Sequence, residues 1–511
     1  MRKGKKINAP LILILLLLFL VIKESAVAQG KNHVWLLGHH YSSTSAEGRI
    51  NFTQNSYSVL SEQRVIPFMD TQANIADENG NILISSNGYF IANATGDTMQ
   101  NGSGLNPNQC TYDYGHQYGL PIPYGTIILP MPDDSNKYVL FHQTCNYNSP
   151  ILIDSNFYYS IIDVTHDNGL GEVISKNNVA HTDVFGWGIA ACKHANGRDW
   201  WVVVLSFDAT HAHTFLVTPD TIQYFGNQNL QIAGFPFGFA GQPTFSPDGE
   251  KFAFSCSNVV GMSYQSKVQL FDFDRCSGVF SLDTVIDFTD GNISYATAFS
   301  SNSKYLYFAT TEHIHQINTD TSNIGATYQL VATNDTFLSA PPVFYTNFYL
   351  MYLAANGKIY ITSTSGVLDL HEMDYPDSAG IDCTVNLHNI HLPCFNVGTV
   401  PNHPNYYLGR LVGSPCDTLT SVKDLTEHDF KFSVSPNPNN GNFRIMYLLP
   451  QNKSGKLEIF DINGRVVYSQ NLPPWSTLQS VSLSRVANGV YNCSITSNGE
   501  RVHKKLVVFN E

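Results

Sequence analysis

The chain has 511 residues, a formal net charge of −13, 14% charged residues and 12% aromatics. That balance excludes a disordered chain, which lacks the apolar residues to build a core, and the length predicts two or more domains. The acidic excess excludes nucleic acid and anionic lipid as main partners, because phosphate recognition needs a basic face.

The first residues, MRKGKK, are basic, and an unbroken apolar run follows from Leu11 to Ile22, ending near Ala26-Val27-Ala28. The run is shorter than the ~20 residues a membrane crossing needs. Residues 1–28 therefore read as a secretory signal, cleaved between Ala28 and Gln29. No later stretch is long and apolar enough for a transmembrane anchor, so an exported, soluble protein is expected. Nine cysteines are spread singly, with no C-x-x-C pair. An oxidising compartment permits disulfides, with Cys383 to Cys394 or Cys416 the first pairing to test. Buried free thiols are the equal alternative.

Residues 29–400 read as one domain, and the region from about 70 to 370 within it carries an internal repeat. FSPDGEKFAF from Phe245, FSSNSKYLYF from Phe299 and LAANGKIYIT from Leu353 each join an apolar strand end, a polar turn and an alternating strand. Looser copies place turns at Gly80, Asn136 and Gly197. Asn-Gly and Asp-Gly favour positive φ and so join antiparallel strands tightly. A unit of this length has room for four strands but cannot bury both faces of its sheet alone, and radial stacking solves that problem. FSPDGEKFAF resembles the Ser-Pro-Asp-Gly turn of WD-like propeller repeats, which implies an all-β β-propeller. Six hairpins are visible. HVWLLG (33–38), RINFT (49–53) and IHLPCFNVG (390–398) either complete the sixth blade or make a seventh closed by both chain ends.

Catalytic signatures are absent from this region: no G-x-S-x-G elbow, no H-E-x-x-H and no phosphate loop, and no cofactor is predicted. His211 with His213, and His313 with His315, each place two imidazoles on one face of a strand, which is half of a metal site. Among eighteen histidines such pairs also arise on solvated strand faces without a role. His39 and His40 are further candidates. FDFDRCSG (271–278) has two aspartates but lacks the closing Glu of a calcium loop, and reads as a strand with an acidic turn. TYDYGHQYGLPIPYG (111–125) gathers Tyr112, Tyr114, Tyr118 and Tyr124 in a Gly/Pro-rich loop, and GFPFGFAGQP (234–243) gathers three phenylalanines. Loop tyrosines suit sugar stacking or protein contact, and they equally pack beneath loops.

Residues 401–429, rich in Pro and Gly at their start, read as a linker. From 430 to 511 short alternating strands are separated by Asn-Gly turns at Asn463-Gly464, Asn488-Gly489 and Asn498-Gly499, predicting a small Ig-like β-sandwich. The two prolines of SPNPNNG read as a stiff joint holding this unit clear of the rest. Four features, SPNPNNG (Ser435, Pro436, Asn437, Pro438 to Gly441), IFDINGRVV (459–467), ANGVY (487–491) and the basic strand with Lys504 and Lys505, together resemble the type A sorting domain of the type IX secretion system of Bacteroidetes. The resemblance implies recognition by the outer-membrane export machinery, and release or surface attachment of the cargo.

Three classes of cargo function remain open. The first is a recognition propeller for an extracellular glycan or protein. The second is an extracellular enzyme with its site in the propeller channel, which needs convergent acids or a metal. The third is a structural part of the surface apparatus. The first needs only the fold, varied loops and the address label.

Overall fold

The computed structural model describes residues 30–417 and 432–509, apart from 40–46, 54–55, 116, 148–152, 232–238, 261–262, 289, 291, 340–343, 436, 448, 450–452, 475–477, 484–485 and 499. The expected signal, with Ala28 and Gln29, lies outside the described residues.

Among the described residues, seven antiparallel sheets follow one another along the first part of the chain. Blade 1 spans 34–62, blade 2 73–92, blade 3 126–182, blade 4 190–229, blade 5 239–288, blade 6 294–333 and blade 7 351–396. From blade 3 onward each is a meander running outward from an innermost strand, which is split in two in blade 5. The repeated turns of the sequence join the innermost strand to the second. Gly249 (φ 74°) and even Ser303 (φ 62°) take the left-handed conformation these turns require.

Apolar faces of successive blades interlock into a ring. Ile75, Ile128 and Trp200 share a cluster across blades 2 to 4, and Trp201 meets Phe252 and Phe271 across blades 4 and 5. Val268 and Phe308 join blades 5 and 6, while Tyr307 and Ile359 join 6 and 7. Trp35 packs on Tyr360 across blades 7 and 1, and Leu36 on Ile82 across 1 and 2. Each such buried side chain contributes roughly 1.5–3 kcal/mol.

Closure differs in detail from the sequence reading. HVWLLG and RINFT do share a sheet, but IHLPCFNVG belongs to the outermost strand of blade 7, Val385–Asn396. The strand Val34–Leu37 has a bare inner edge, and side chains of blade 2 cover it. Leu36 N–H donates to Asn74 Oδ1 (3.2 Å), Asn74 Nδ2 donates to Val34 O (2.8 Å), and Gln72 Nε2 donates to Leu36 O. Amide side chains thus stand in for a missing strand.

The segment from 401, expected as a linker, is packed against the propeller as far as Asp417. It runs down the middle of the ring and out across the face that carries the repeated turns. Asn402 Nδ2 donates to Ile189 O (2.8 Å), and Tyr406 OH donates to Ile128 O (3.0 Å). Further down, Asn405 Nδ2 donates to Pro247 O (2.7 Å), Arg275 Nη2 to Gly409 O (2.6 Å) and Leu411 N–H to Ala195 O (2.7 Å). A disulfide between Cys276 and Cys416 fixes its end to blade 5. Cys416 therefore does not pair with Cys383; Cys383 and Cys394 are buried free thiols, and the second disulfide joins Cys110 to Cys145.

The tail forms two sheets. Phe432–Ser435, Asn442–Tyr447 and Leu478–Ser482 make one; Gly455–Phe460, Val466–Leu472, Gly489–Ser497 and Glu500–Val508 make the other. Ile445, Leu457, Ile459 and Ile495 fill the space between them.

Two fully buried histidines make the propeller acid-sensitive. His142 sits between Asn106 Oδ1 (2.6 Å) and Ser160 Oγ (3.0 Å), and burial lowers it to about 3; burial likewise lowers His371 to about 4. Both are neutral in the fold and bind protons more readily when unfolded, so their contribution is intact above pH 6.5 and declines as pH falls toward 4. Each is expected to remove up to ~1.4 kcal/mol per pH unit in that window. Asp70, raised by desolvation to about 7, contributes the opposite slope in the same window, so the histidine contribution is read as a difference: in denaturant titrations between pH 7 and 4, His142→Gln should lose less stability on acidification than the parent.

Candidate functional site

The centre of the ring is narrow among the described residues. A void at one end of the channel has a volume of ≈ 10 Å³, about the space of one water. Its lining includes Tyr124, Trp187, Gln242, Tyr295 and Tyr349, with no acid, histidine, serine or cysteine among them. Tyr124, expected as a ligand-binding loop residue, is buried here. Its ring stacks on Tyr352 at 4.7 Å and its hydroxyl donates to Met351 O (3.3 Å). Burial pushes this phenol well above its ordinary range. The residue belongs to the wall of the channel because the loop ends there and the innermost strand of blade 3 begins.

The rest of the tyrosine loop is different. It leads from blade 2 to blade 3 and contains a short helix, Gln109–Gly115, stapled to the second strand of blade 3 by Cys110–Cys145. Asn108 caps it, its Oδ1 accepting from Thr111 N–H (2.8 Å). Tyr112 is 62% exposed, and Tyr114 is half-buried with its ring 6.1 Å from Tyr147. Tyr147, itself 49% exposed, donates to Asp113 Oδ2 (3.0 Å). Tyr118 turns inward and stacks on His39 at 5.0 Å. The result is a rigid patch of aromatic faces beside a carboxylate. Tyr147 was missed by sequence reasoning because it lies in another loop; the pairing of Cys110 with Cys145 would have linked them. Residues 232–238 of the phenylalanine-rich loop, and His40, lie outside the described residues.

The histidine pairs sort differently from expectation. His313 and His315, on the third strand of blade 6 (His313–Asn318), do converge, joined by Asp290 from the connection between blades 5 and 6. His213 instead meets His181 and Asp183 at the junction of blades 3 and 4. His211 is not part of that group; its Nδ1 pairs with Thr210 Oγ1 at 2.8 Å. Asp183 and Asp290 each follow the outermost strand of a blade and lie roughly two repeats apart, a phase relation through which the sequence could have disclosed them. Asp274 of FDFDRCSG caps its own turn, accepting from Cys276 N–H (2.9 Å) and Ser277 Oγ (2.6 Å), as an acidic turn should.

In the tail, the Pro-Asn-Pro segment is a clasp within the sandwich, not a joint in front of it. Asn437 Nδ2 donates to Lys505 O (2.7 Å) while Val507 N–H donates to Asn437 Oδ1 (2.8 Å). Asn439 N–H donates to Val507 O (3.0 Å), and Phe509 N–H to Asn439 O (2.7 Å). Prolines cannot donate, so the asparagines supply the bonds that cover the last strand. Ser435 ends the first strand, Pro438 is exposed, and Gly441 takes φ 91° with its N–H on Asn439 Oδ1 (2.8 Å). Pro436 lies outside the described residues. Asn463-Gly464 forms a turn whose backbone is tied by Asp461, Asn488 precedes the strand that opens at Gly489, and Lys504 and Lys505 are exposed.

Residues 433–509 match the secretion system C-terminal sorting domain. The tail is a sorting domain of the type IX secretion system. The sorting domain marks the protein for handling by the type IX machinery and for a secreted or cell-surface location. Among the described residues no helix is long and apolar enough to cross a membrane. No protein of curated function matches the chain. Solved structures similar to it include a protein from Lactobacillus plantarum (12% identity, TM-score 0.38, 88% of this chain and 99% of that one). Others are a putative 6-phosphogluconolactonase from Bacteroides fragilis (10%, 0.34, 74% and 100%) and the Nup133 β-propeller domain of Vanderwaltozyma polyspora (8%, 0.28, 64% and 96%). At such scores these likenesses add nothing to the architecture read from the sheets themselves.

The two ends of the tyrosine loop should respond oppositely to truncation. Tyr124→Ala is expected to lower stability by about 3–5 kcal/mol, and Tyr112→Ala by less than about 0.5 kcal/mol, in urea unfolding of the two variants.

Proposed function

We propose that the cargo is a recognition propeller for an extracellular glycan or protein, delivered by its sorting domain. The route begins with the N-terminal signal into the periplasm and ends with type IX export across the outer membrane. The observation that carries the reading is the stapled aromatic patch of Tyr112, Tyr114 and Tyr147 with Asp113, on the face opposite the repeated turns. Flat tyrosine faces exclude water from a sugar ring or an apolar side chain, and the adjacent carboxylate and hydroxyls accept and donate hydrogen bonds. The disulfide holds the patch before ligand arrives, so little ordering entropy opposes binding. A hydrolytic site in the channel is disfavoured, because the chain's own segment fills it.

The test is a glycan array and polysaccharide pull-down with the mature chain, 29–511, alongside a Tyr112→Ala/Tyr147→Ala variant. Selective binding that weakens about tenfold or more in the variant, some 1.4 kcal/mol, supports the reading. Binding unaffected by the variant would overturn the assignment of the patch. Absence of binding to every glycan, with a protein captured from the cell surface through the same patch, would select the protein partner.

A further inference from the structure

The junction of blades 5 and 6 holds a group of side chains that the recognition reading does not use. Asp290 lies between the outermost strand of blade 5, Val279–Phe288, and the innermost strand of blade 6, Ser294–Phe299. Its Oδ2 faces His313 Nδ1 at 3.2 Å and His315 Nε2 at 3.6 Å. The three ligand atoms all lie within 4.8 Å of one another.

His315 is the decisive member. Its side chain is only 6% exposed, and neither ring nitrogen has a hydrogen-bond partner. A buried, unsatisfied polar group costs about 1–3 kcal/mol, so a fold retains one only where something else pairs with it. The ring is fixed by its neighbours. Tyr328 stacks on it at 5.1 Å, Phe308 at 5.4 Å, and Phe288 lies 5.6 Å away. Held in this way, Nε2 points at Asp290 from a distance too long for a hydrogen bond. It is close to the edge of a tetrahedron around a cation, which is about 3.3 Å for metal–ligand bonds of ~2.0–2.1 Å.

The carboxylate is oriented as well. Thr310 Oγ1 donates to Asp290 Oδ2 (2.5 Å), and Asn292 N–H donates to Asp290 Oδ1 (3.2 Å). It is thus oriented by outer partners in the manner of a metal ligand. His313 is 24% exposed, which leaves the group open to solvent on one side for a water ligand.

We propose that Asp290, His313 and His315 bind a zinc-class divalent cation, with water in the fourth position, that clamps blade 5 to blade 6. Two imidazoles and one carboxylate suit zinc over magnesium or calcium, which take oxygen ligands and higher coordination. The related group of His181, Asp183 and His213 is less enclosed, since Asp183 is 45% exposed.

The experiment uses the mature full chain, stripped with chelator, dialysed against zinc and counted by plasma mass spectrometry. Cobalt(II) absorption reports the coordination geometry, and thermal unfolding is followed with and without zinc. Asp290→Asn, which preserves shape, and His313→Gln, at the solvent-facing position, should each lose one zinc per chain relative to the unmodified protein. Their affinity should fall by about a hundredfold, a single zinc-dependent rise in melting temperature should disappear, and the zinc-free melting temperature should stay near that of the stripped parent. His391→Gln, at the exposed His391–Asp369 pair, should change nothing. The proposal is overturned if the stripped protein takes up no zinc at micromolar free metal. It is equally overturned if Asp290→Asn and His313→Gln, folded by circular dichroism, bind as many ions as the parent.

Discussion

The centre of the ring is the constraint on which the rest of the structure depends. Seven wedge-like sheets cannot meet at a point, and the innermost strands would leave backbone groups facing an open hole. This chain fills the hole with its own residues. Val400 packs with Trp35 and Leu37, and Tyr406 joins the cluster around Trp200. Arg275 reaches in from blade 5 to Lys193 O (2.9 Å), His194 O (3.3 Å) and Gly409 O (2.6 Å), fastening the exit segment to two blades at once. The start of the first blade meets the exit segment there: Tyr407 OH accepts from Lys31 N–H at 2.7 Å. The ring is thereby closed by a strap down its axis and out across one face, with Cys276–Cys416 as its last fastening.

With the axis filled, the exposed aromatic faces lie in loops away from it. The connections from outermost to innermost strands, together with the turns between second and third strands, all emerge on one face. That face carries both the Tyr112 patch and Asp290. The opposite face is occupied by the repeated turns and the strap, whose hydrogen bonds leave those turns little freedom. A fold that hosts many unrelated activities is thus narrowed here by its own packing.

What the sequence disclosed follows from what is local. The Asn-Gly and Asp-Gly turns, the alternating strands and the tail motifs are short-range signals, and they placed the hairpins and the sandwich. Long-range pairings were not accessible. Nothing near Cys416 marks Cys276 as its partner, and nothing near Pro401 shows that Asn402 reaches Ile189. The Pro-Gly content of 401–417 suggested a linker because irregular backbone looks alike whether it hangs in solvent or is held by side-chain amides. The same ambiguity misplaced SPNPN, whose asparagines replace the main-chain donors that its prolines lack. Tyr124 and His211 sit apart from the other candidates for a related reason: residue type and period were legible, but burial and neighbours are properties of the assembled ring.

Hydrogen exchange of the backbone amides from 400 to 411, followed by mass spectrometry on the native full chain, tests the central claim most directly. A strap inside the ring predicts that Asn402 through Leu411 exchange as slowly as the innermost strands of blades 3 and 4, opening only with global unfolding. Exchange as fast as in an exposed loop, while those strands stay protected, would show that the axis is open and contradict the account.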